Sequence, residues 1–457
     1  MKRRNRVLCV CLAGLLLAAC SGCGNSKNEG QTIGKDYTES QALDDTGIAA
    51  ADLGDDSSTV SREVDESVTG EISYWTWDKG APYYAQQFAT KYPNAQVEVN
   101  VFADYYTKLQ QMLSSGAEVP DVIMVENAYY GELANSTAVE DLGSEPYNAM
   151  EMRDDYYDFW FDSGIGTDGV LRVMPNSPGM AANFYRRDIA KELFGTDDPE
   201  EVGKLLSDWD AVYEYGLKLK EISNGEKYIV PNAKEVFNTM VAQTGEARVE
   251  DNVINTEMFI EPLNTAKKFR EAGIDGKQTD WSPEWSAGMK NGQVLMYQSG
   301  SWGESYTVIA NVQDTQDGLW GVTSVPGGNV NNGGNGFAIP KAADNKELAW
   351  TFINFAVTDV DMQADQLKKF ACFPALKEAA DDPYFELPVP LFDGQVARKK
   401  YAELGEDMIF SPRTKYDSAI STILDKYVEN VFNGQMTAED AVEKMKAEMM
   451  SQYKELS

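Results

Sequence analysis

Three short segments of the chain constrain its fold most, because each predicts a β-strand. Residues 71–77 (EISYWTW) are rich in β-branched and aromatic residues, which favour strands. Residues 96–102 alternate between apolar and polar side chains, with valine at every second position. Residues 121–125 (DVIMV) form a continuous apolar run, which is typical of a parallel strand that is buried on both faces.

A helix is predicted in each interval between these strands. Pro82 suits the first turn of a helix that ends at Lys91, and a second helix runs from Tyr105 to Ser115 with Gly116 as its C-cap. Parallel strands need a crossover connection, so the order β-α-β-α-β predicts an α/β domain with a parallel sheet. Such sheets bind their ligands at the carboxyl ends of the strands.

The start of the chain is typical of an exported protein. Basic residues at positions 2–6 precede an apolar run, 7–19, that is too short to span a membrane. The Leu-Ala-Ala sequence before Cys20 resembles the lipobox of bacterial lipoproteins, in which the thiol is lipidated and the chain is cut in front of it. We therefore predict a signal peptide, 1–19, and a lipid anchor at Cys20 on the extracellular face of the cell membrane. The alternatives are an ordinary signal peptide with an incidental Cys20, or lipidation at Cys23.

The segment from residue 20 to residue 70 differs in composition from the rest. It is rich in Gly, Ser, Asp, Glu and Asn, and Tyr37 is its one aromatic residue. Such a segment cannot bury enough apolar surface to offset the entropy lost on ordering. We therefore predict that residues 20–70 comprise the lipidated cysteine and a disordered acidic tether.

The composition excludes several classes of function. The formal net charge of −33 would repel phosphate backbones, so a nucleic-acid partner is not expected. The chain has no histidine, which excludes Ser-His-Asp and Cys-His catalysis and His-ligated zinc. It also lacks the GxxxxGK[ST] motif of ATPases. We expect neither a cofactor nor a metal, and no structural disulfide between Cys23 and Cys372.

Aromatic and polar residues follow two of the predicted strands. The first strand leads into residues 75–80 (WTWDKG), and the third leads into residues 126–130 (ENAYY). Sugar rings have apolar faces that stack on aromatic side chains, and their hydroxyls need hydrogen-bond partners. The edge of the sheet therefore predicts a sugar site, although Trp75 or Trp77 can equally belong to the core.

An ordered set of motifs extends this interpretation to most of the chain. It comprises WTWDKG, FATKYPNAQVEV, YTKLQQMLSSGAEVPDVIMVENAYYGEL, NGQVLMYQSGSW, GNGFAIPK and GQMTAEDA, spread between residues 70 and 455. In this order, the motifs resemble those of the family 1 extracellular solute-binding proteins, the carbohydrate receptors of ABC importers.

The resemblance implies a two-lobed, periplasmic-binding-protein-like α/β fold of type II, with the ligand cleft between the lobes. Lobe 1 would comprise residues 71–177 and 326–372, and lobe 2 would comprise residues 178–325 and 373–457. The implied function is the capture of a carbohydrate, expected to be an oligosaccharide, without catalysis. The closed monomer would deliver this ligand to the membrane permease subunits of an ABC transporter.

The resemblance also implies which residues contact the ligand. Asp78 and Lys79 match residues that bind sugar hydroxyls, and Trp302 matches a tryptophan that stacks on a sugar ring. Asn127 occupies a loop that lacks the family's Asp-Arg pair. The full predicted set is Trp77, Asp78, Lys79, Asn127, Asn176, Ser177, Trp281, Trp302 and Asn335.

Some of these positions have alternative interpretations, and a few further residues are candidates. Asn335 and its neighbours can be turn residues. Trp281, together with Trp285, can pack at the start of a helix. Arg413 and Tyr416 precede a C-terminal helix that often lines this cleft in the family.

Three other functions remain open from the sequence. A lipid-anchored glycan-processing enzyme would release products from the glycans that it binds. A receptor for another ligand, such as a polyamine, would have Asp78, Glu126 and Glu304 as its dominant contacts. A purely structural surface lipoprotein would bind no small molecule.

Overall fold

The computed structural model describes residues 62–115, 119–312 and 316–457. The predicted signal peptide, Cys20 and Cys23 lie outside these residues. So do residues 20–61 of the predicted tether and Gly116, the predicted helix cap.

Residues 62–69, which the sequence assigns to the tether, lie against the folded part of the chain instead. The Arg62 guanidinium forms an ion pair with Asp359, with Nε and Oδ2 2.9 Å apart. It also donates to the Gln87 side chain at 2.9 Å, and its charge lies over the Phe355 ring at 5.2 Å. The composition of the segment could not reveal this contact, because one buried cation with several partners holds it in place.

The helices of the described residues are distributed along the whole chain. In order, α1 to α15 are Ala81–Lys91, Tyr105–Ser115, Tyr130–Ala134, Asp158–Ser163, Arg187–Phe194, Pro199–Leu205, Trp209–Ile222, Ala233–Gln243, Ile260–Ala272, Pro283–Asn291, Lys346–Thr358, Val360–Phe370, Ala397–Glu406, Asp417–Phe432 and Ala438–Gln452. A π-helix, Glu304–Ile309, lies between α10 and α11 and is followed directly by a short α-helical turn, Ala310–Val312. Among the described helices, none combines the length and the apolar character needed to cross a membrane.

The strands form two main sheets and a short hairpin. In order, β1 to β10 are Gly70–Thr76, Ala95–Val101, Val122–Glu126, Met174–Met180, Ala182–Arg186, Val249–Glu250, Val253–Ile254, Met296–Ser299, Trp320–Thr323 and Asn331–Ala338. The larger sheet has the order β2-β1-β3-β10-β4, and the smaller has the order β8-β5-β9. The hairpin pairs β6 with β7.

The larger sheet confirms the predicted β-α-β-α-β unit. Strand β1 pairs in parallel with both β2 and β3, and α1 and α2 are the crossovers. Strand β10 runs antiparallel between β3 and β4, so β4 has the same direction as β3. The carboxyl ends of β1, β3 and β4 and the start of β10 therefore lie on one edge of this sheet.

The chain passes between the two sheets at two neighbouring points. Only Ala181 separates β4 from β5, and residues 324–330 connect β9 to β10. The backbone N–H of Ala181 donates to the carbonyl of Val330 at 3.0 Å, so the two crossings lie side by side. The junction, defined as Ala181 and residues 324–330, places the carboxyl edge of the larger sheet next to the smaller sheet. The predicted lobe boundaries at residues 177 and 325 lie beside this junction and remain predictions.

Aromatic packing fixes the helices on the larger sheet. Phe337 of β10 lies 5.9 Å from the Tyr74 ring and 6.1 Å from the Tyr84 ring, measured between centroids. Phe352 of α11 lies 5.5 Å from Tyr74 and contacts the same group. These rings are buried and bring residues of β1, α1, β10 and α11 into one core. The strand ends at the junction are thus held on a rigid base.

Candidate functional site

The register of the larger sheet brings three polar residues to the same level near its carboxyl edge. Asn335 of β10 pairs with Glu126 on one side and with Ser177 on the other. The Glu126 side chain is exposed, whereas Ser177 and Asn335 are buried. Partial desolvation raises the pKa of Glu126. Of these residues, Glu126 has the most accessible position.

Asn176 lies within the protein below this edge. Its side-chain amide donates to Asn335 Oδ1 at 2.8 Å and to the Tyr84 hydroxyl at 3.2 Å. Its Oδ1 accepts a hydrogen bond from Gln363 Nε2 at 2.9 Å. These contacts use the donor and acceptor groups of the side chain, so the structure gives Asn176 a supporting position beneath the edge.

Asp78 and Lys79 connect the end of β1 to α1. Asp78 Oδ1 accepts a hydrogen bond from the Gly80 backbone N–H at 2.8 Å, next to the start of the helix. Burial raises the pKa of Asp78, although this hydrogen bond acts in the opposite direction. Lys79 is exposed. Both residues lie at the carboxyl edge, as the sequence predicts.

Aromatic side chains surround this edge on the side of the larger sheet. The Trp77 ring lies 5.5 Å from the Tyr105 ring, and Tyr106 stacks on Tyr129. The Tyr106 hydroxyl also donates to Glu132. We call Trp77, Tyr106 and Tyr129 the aromatic wall. Such partly buried rings offer the flat apolar faces on which a ring-shaped ligand can stack.

Asn127 connects the loop after β3 to two distant segments. Its Oδ1 accepts hydrogen bonds from Asn331 Nδ2 at 3.1 Å and from Arg413 Nη2 at 2.7 Å. Burial lowers the pKa of Arg413. The loop lacks the Asp-Arg pair expected from the resemblance, but the segment before α14 brings an arginine to it. Tyr416 is close to Arg413 in sequence and is buried. Its hydroxyl donates a hydrogen bond to Glu455, so it does not contact Asn127.

Two tryptophans form a platform at the junction. The Trp302 indole N–H donates to the backbone carbonyl of Asn332 at 2.8 Å. The Trp281 ring is nearly parallel to the Trp302 ring, with centroids 5.9 Å apart. Trp281 is 58% exposed and adopts a φ of +65°, an uncommon conformation for a bulky residue. We call Trp281 and Trp302 the tryptophan shelf.

Trp285 has a different environment from its neighbour Trp281. It is buried in the first turn of α10, where its ring meets the Tyr297 ring edge-on with centroids 5.7 Å apart. Its ring centroid lies 5.0 Å from that of Trp281. The alternative interpretation, packing at a helix start, therefore describes Trp285, whereas Trp281 is accessible.

Small residues make room for the Trp302 indole. A Cβ on Gly300 would lie 2.3 Å from Trp302 Nε1 and from the Asn332 carbonyl oxygen. Gly333 has a φ of +104°, and a Cβ there would lie 2.6 Å from the same nitrogen. The indole is therefore enclosed by backbone on its Nε1 side, which fixes its orientation.

A pair of carboxyl groups is joined through Asn232, and one of them, that of Asp280, directly precedes Trp281 in the sequence. Asn232 caps α8 by accepting from the Glu235 backbone N–H at 2.9 Å, and its amide donates to Asp280 Oδ1 at 2.6 Å. Burial raises the pKa of Glu235 well above its usual range, and the negative charge of Asp280 raises it further. Asp280 is exposed, and partial desolvation raises its pKa. We call Glu235 and Asp280 the carboxyl pair.

Comparison with solved structures identifies the fold. A crystal structure of an extracellular solute-binding protein of family 1 aligns with a TM-score of 0.76 and 20% identity, covering 83% of this chain and 99% of that chain. The sugar-binding protein MalE from Xanthomonas citri aligns with a TM-score of 0.70 and 18% identity, covering 84% and 98%. The ABC transporter associated binding protein from B. animalis subsp. lactis Bl-04, in complex with β-1,6-galactobiose, gives 0.65 and 22%, covering 85% and 98%. The predicted two-lobed α/β fold is thereby confirmed.

Well over half of the sequence matches a single protein family. Residues 83–389 match the family described as bacterial extracellular solute-binding protein. The chain belongs to this family. The family predicted from the ordered motifs is thus confirmed. The family is one of binding proteins that act outside the cytoplasm, rather than of enzymes.

The sequence did not identify every residue that this solute-binding protein places at the site. Tyr129 lies in residues 126–130, whose position after a strand end was a usable signal, whereas its stacking partner Tyr106, in α2, was missed. Glu235 and Asp280 gave no such signal. Asn232-x-x-Glu235 has the pattern of a helix capping box, which by itself predicts only a helix start.

The carboxyl pair should make the stability of the unliganded protein depend on pH. The folded-state pKa of Glu235 is raised above its unfolded value, so the stability contributed by its protonated form is present below the unfolded pKa. That contribution is lost as the pH rises through the folded pKa. Glutamine cannot ionise. The free energy of unfolding of Glu235→Gln should therefore equal that of the wild type at about pH 4 and exceed it at about pH 8.

Urea denaturation midpoints measured across this pH range test the prediction. Glu214→Gln, on the exposed face of α7, is the matched control and should show no growing difference. A Glu235→Gln variant that loses stability relative to the wild type as the pH rises would contradict the assignment.

Proposed function

We propose that this protein is the extracellular receptor of an ABC importer for a carbohydrate, expected to be an oligosaccharide. The observation that carries the proposal is the tryptophan shelf, which lies at the junction and is held there by the hydrogen bond from Trp302 to Asn332. The aromatic wall borders the carboxyl edge of the larger sheet. Stacking surfaces on both sides suit a ligand of more than one sugar ring.

The structural neighbours support this class of ligand. One is in complex with β-1,6-galactobiose, one from Listeria monocytogenes is in complex with cycloalternan, and one from Bifidobacterium longum is in complex with lacto-N-biose. Two of these proteins are described as parts of ABC transporters. We extend to this chain the delivery of the sugar to permease subunits and the docking of a closed monomer on them.

The rival proposal of a polyamine receptor is weakened by the position of Glu304. Its carboxylate is buried and forms an ion pair with Arg398, with Oε1 and Nη2 2.5 Å apart. Arg398 in turn lies over the Tyr384 ring at 4.1 Å. A carboxylate neutralised in this way has little charge to offer a cationic ligand. Of the acids expected to dominate such a pocket, Asp78 and Glu126 remain.

Replacement of Trp302 should separate ligand binding from stability. Removing a stacking indole should cost about 2 kcal/mol of binding free energy, or roughly thirtyfold in affinity. The measurement is thermal unfolding of the chain without its predicted signal peptide and with Cys20→Ser, against mono-, di- and oligosaccharides. A ligand at about 100 times its dissociation constant should add about 2.7 kcal/mol of stability. Trp302→Ala should reduce this stabilisation to about 0.9 kcal/mol, about a third of the wild-type value.

Trp350→Ala is the control for this experiment, because Trp350 of α11 packs on Tyr147, with ring centroids 5.5 Å apart. It should unfold at a lower temperature but keep the shift caused by the sugar. The absence of a shift for every carbohydrate in a broad panel would overturn the proposal.

A glycine pair tests whether the orientation of Trp302 matters. Gly333→Ala adds a Cβ 2.6 Å from Trp302 Nε1, whereas a Cβ added at Gly394, which has a φ of +78°, would meet no atom of the described residues within 4 Å. Both changes strain the backbone by about 1–2 kcal/mol. Only Gly333→Ala should weaken binding of the sugar found in the screen, by about tenfold or more, in isothermal titration. Equal affinities of the two variants would contradict the role of the shelf.

The proposed lipid anchor at Cys20 has its own test. Cys20→Ser should move the exported protein from the membrane fraction to the medium, because it removes the proposed site of lipidation. Cys23→Ser is the matched control and should leave the protein with the membranes. Membrane retention of the Cys20→Ser variant would contradict the anchor without affecting the proposed ligand.

A further inference from the structure

We propose that the ligand carries a positively charged amino group, as an amino sugar does, and that Glu235 and Asp280 bind this group. The inference rests on the proposed function, because it specifies which carbohydrates the site selects. It is carried by three observations: two carboxyl groups held together, buried donors that have no hydrogen-bond partner among the described residues, and a stacked pair of tryptophans of which Trp281 directly follows Asp280.

The two carboxyl groups are held together by the protein itself. Asn232 contacts both residues, since its Oδ1 accepts from the Glu235 backbone and its Nδ2 donates to Asp280. Asp280 therefore lies beside the first turn of α8, where Glu235 is located. Two neighbouring carboxylates repel each other unless a proton or a cation lies between them.

No basic side chain of the described residues neutralises Glu235. Its Oε1 is buried and has no hydrogen-bond partner within this part of the chain. Lys234 lies close enough to act on Asp280, but its Nζ forms an ion pair with Asp425 at 2.8 Å. The free protein therefore has carboxyl groups at this point that lack a cationic partner among the described residues, and a ligand cation can satisfy them.

Hydrogen-bond donors without partners adjoin the carboxyl pair. Gln298 is 8% exposed, and Thr239 donates to its Oε1, whereas its Nε2 has no partner among the described residues. The backbone of Gln298 adjoins the Glu235 carboxyl. Trp285 is 5% exposed, and its indole N–H also has no partner in the part of the chain that the structure describes. Such buried donors cost free energy until a ligand supplies acceptors.

The mixture of groups distinguishes an amino sugar from simpler ligands. An ammonium group has three donors and a positive charge, which match the carboxyl pair, whereas a hydroxyl brings no charge. The hydroxyl and ring oxygens of a sugar match the donors of Gln298 and Trp285. A polyamine lacks these oxygens. Trp281 directly follows Asp280, so a sugar ring on the tryptophan shelf would bring a substituent near the carboxyl pair.

Matched sugars test the inference. We would measure binding by isothermal titration near neutral pH to the chain without its predicted signal peptide and with Cys20→Ser. The probes are glucose, glucosamine and N-acetylglucosamine, the corresponding galactose series, and the β-1,4-linked disaccharides of the glucose series. The amino form should bind at least about tenfold more tightly than its neutral counterparts. Glu235→Gln and Asp280→Asn should remove this preference, and Glu214→Gln should keep it.

The possible results separate the inference from the proposed function. Equal or tighter binding of the neutral sugars overturns the inference and leaves the carbohydrate receptor intact. A preference for the amino form that survives in both Glu235→Gln and Asp280→Asn overturns the assignment to these residues. Binding of spermidine with no binding of any sugar overturns both proposals.

Discussion

The hydrogen bonds of Asn176 are the interactions on which the rest of the site depends. This one buried side chain joins β4 to β10 through Asn335, to α1 through Tyr84, and to α12 through Gln363. Strands β4 and β10 are also the two strands of the larger sheet that are joined to the junction. The buried amide side chains of Asn176 and Asn335 therefore help to fix the register between β4 and β10. The position of the tryptophan shelf relative to the carboxyl edge depends on this register.

The acidic groups of the protein have two different roles. Some buried carboxylates have a cationic partner and stabilise the fold: Asp359 pairs with Arg62, and Asp275 pairs with Arg270. Others lie at the site, where desolvation raises the pKa of the exposed Glu126 and of the less exposed Glu235, and no cation of the described residues lowers either pKa. Unpaired carboxylates of this kind concentrate where ligands bind, since burial and like charges are useful there.

The sequence predicted the parts of the structure that depend on local pattern. The three parallel strands and two helices of the first unit follow from apolar periodicity, and Trp302 follows from a resemblance in a short motif. The place of Asn176 inside the protein depends on Gln363 and Asn335, which are distant in sequence. The carboxyl pair likewise depends on a fold that brings α8 next to Asp280. Periodicity carries no information about such contacts, so these residues were missed or assigned another role.

The central claim is that the face of a sugar ring stacks on the tryptophan shelf. Saturation-transfer difference NMR tests it directly: the aromatic protons of the protein are irradiated, and transfer to the C–H protons of a weakly bound disaccharide is recorded. We expect saturation transfer to be concentrated on one face of a sugar ring. This transfer should be lost in Trp302→Ala and should stay the same in Trp350→Ala. Transfer that is absent for every carbohydrate, or that is unchanged in Trp302→Ala, would contradict it.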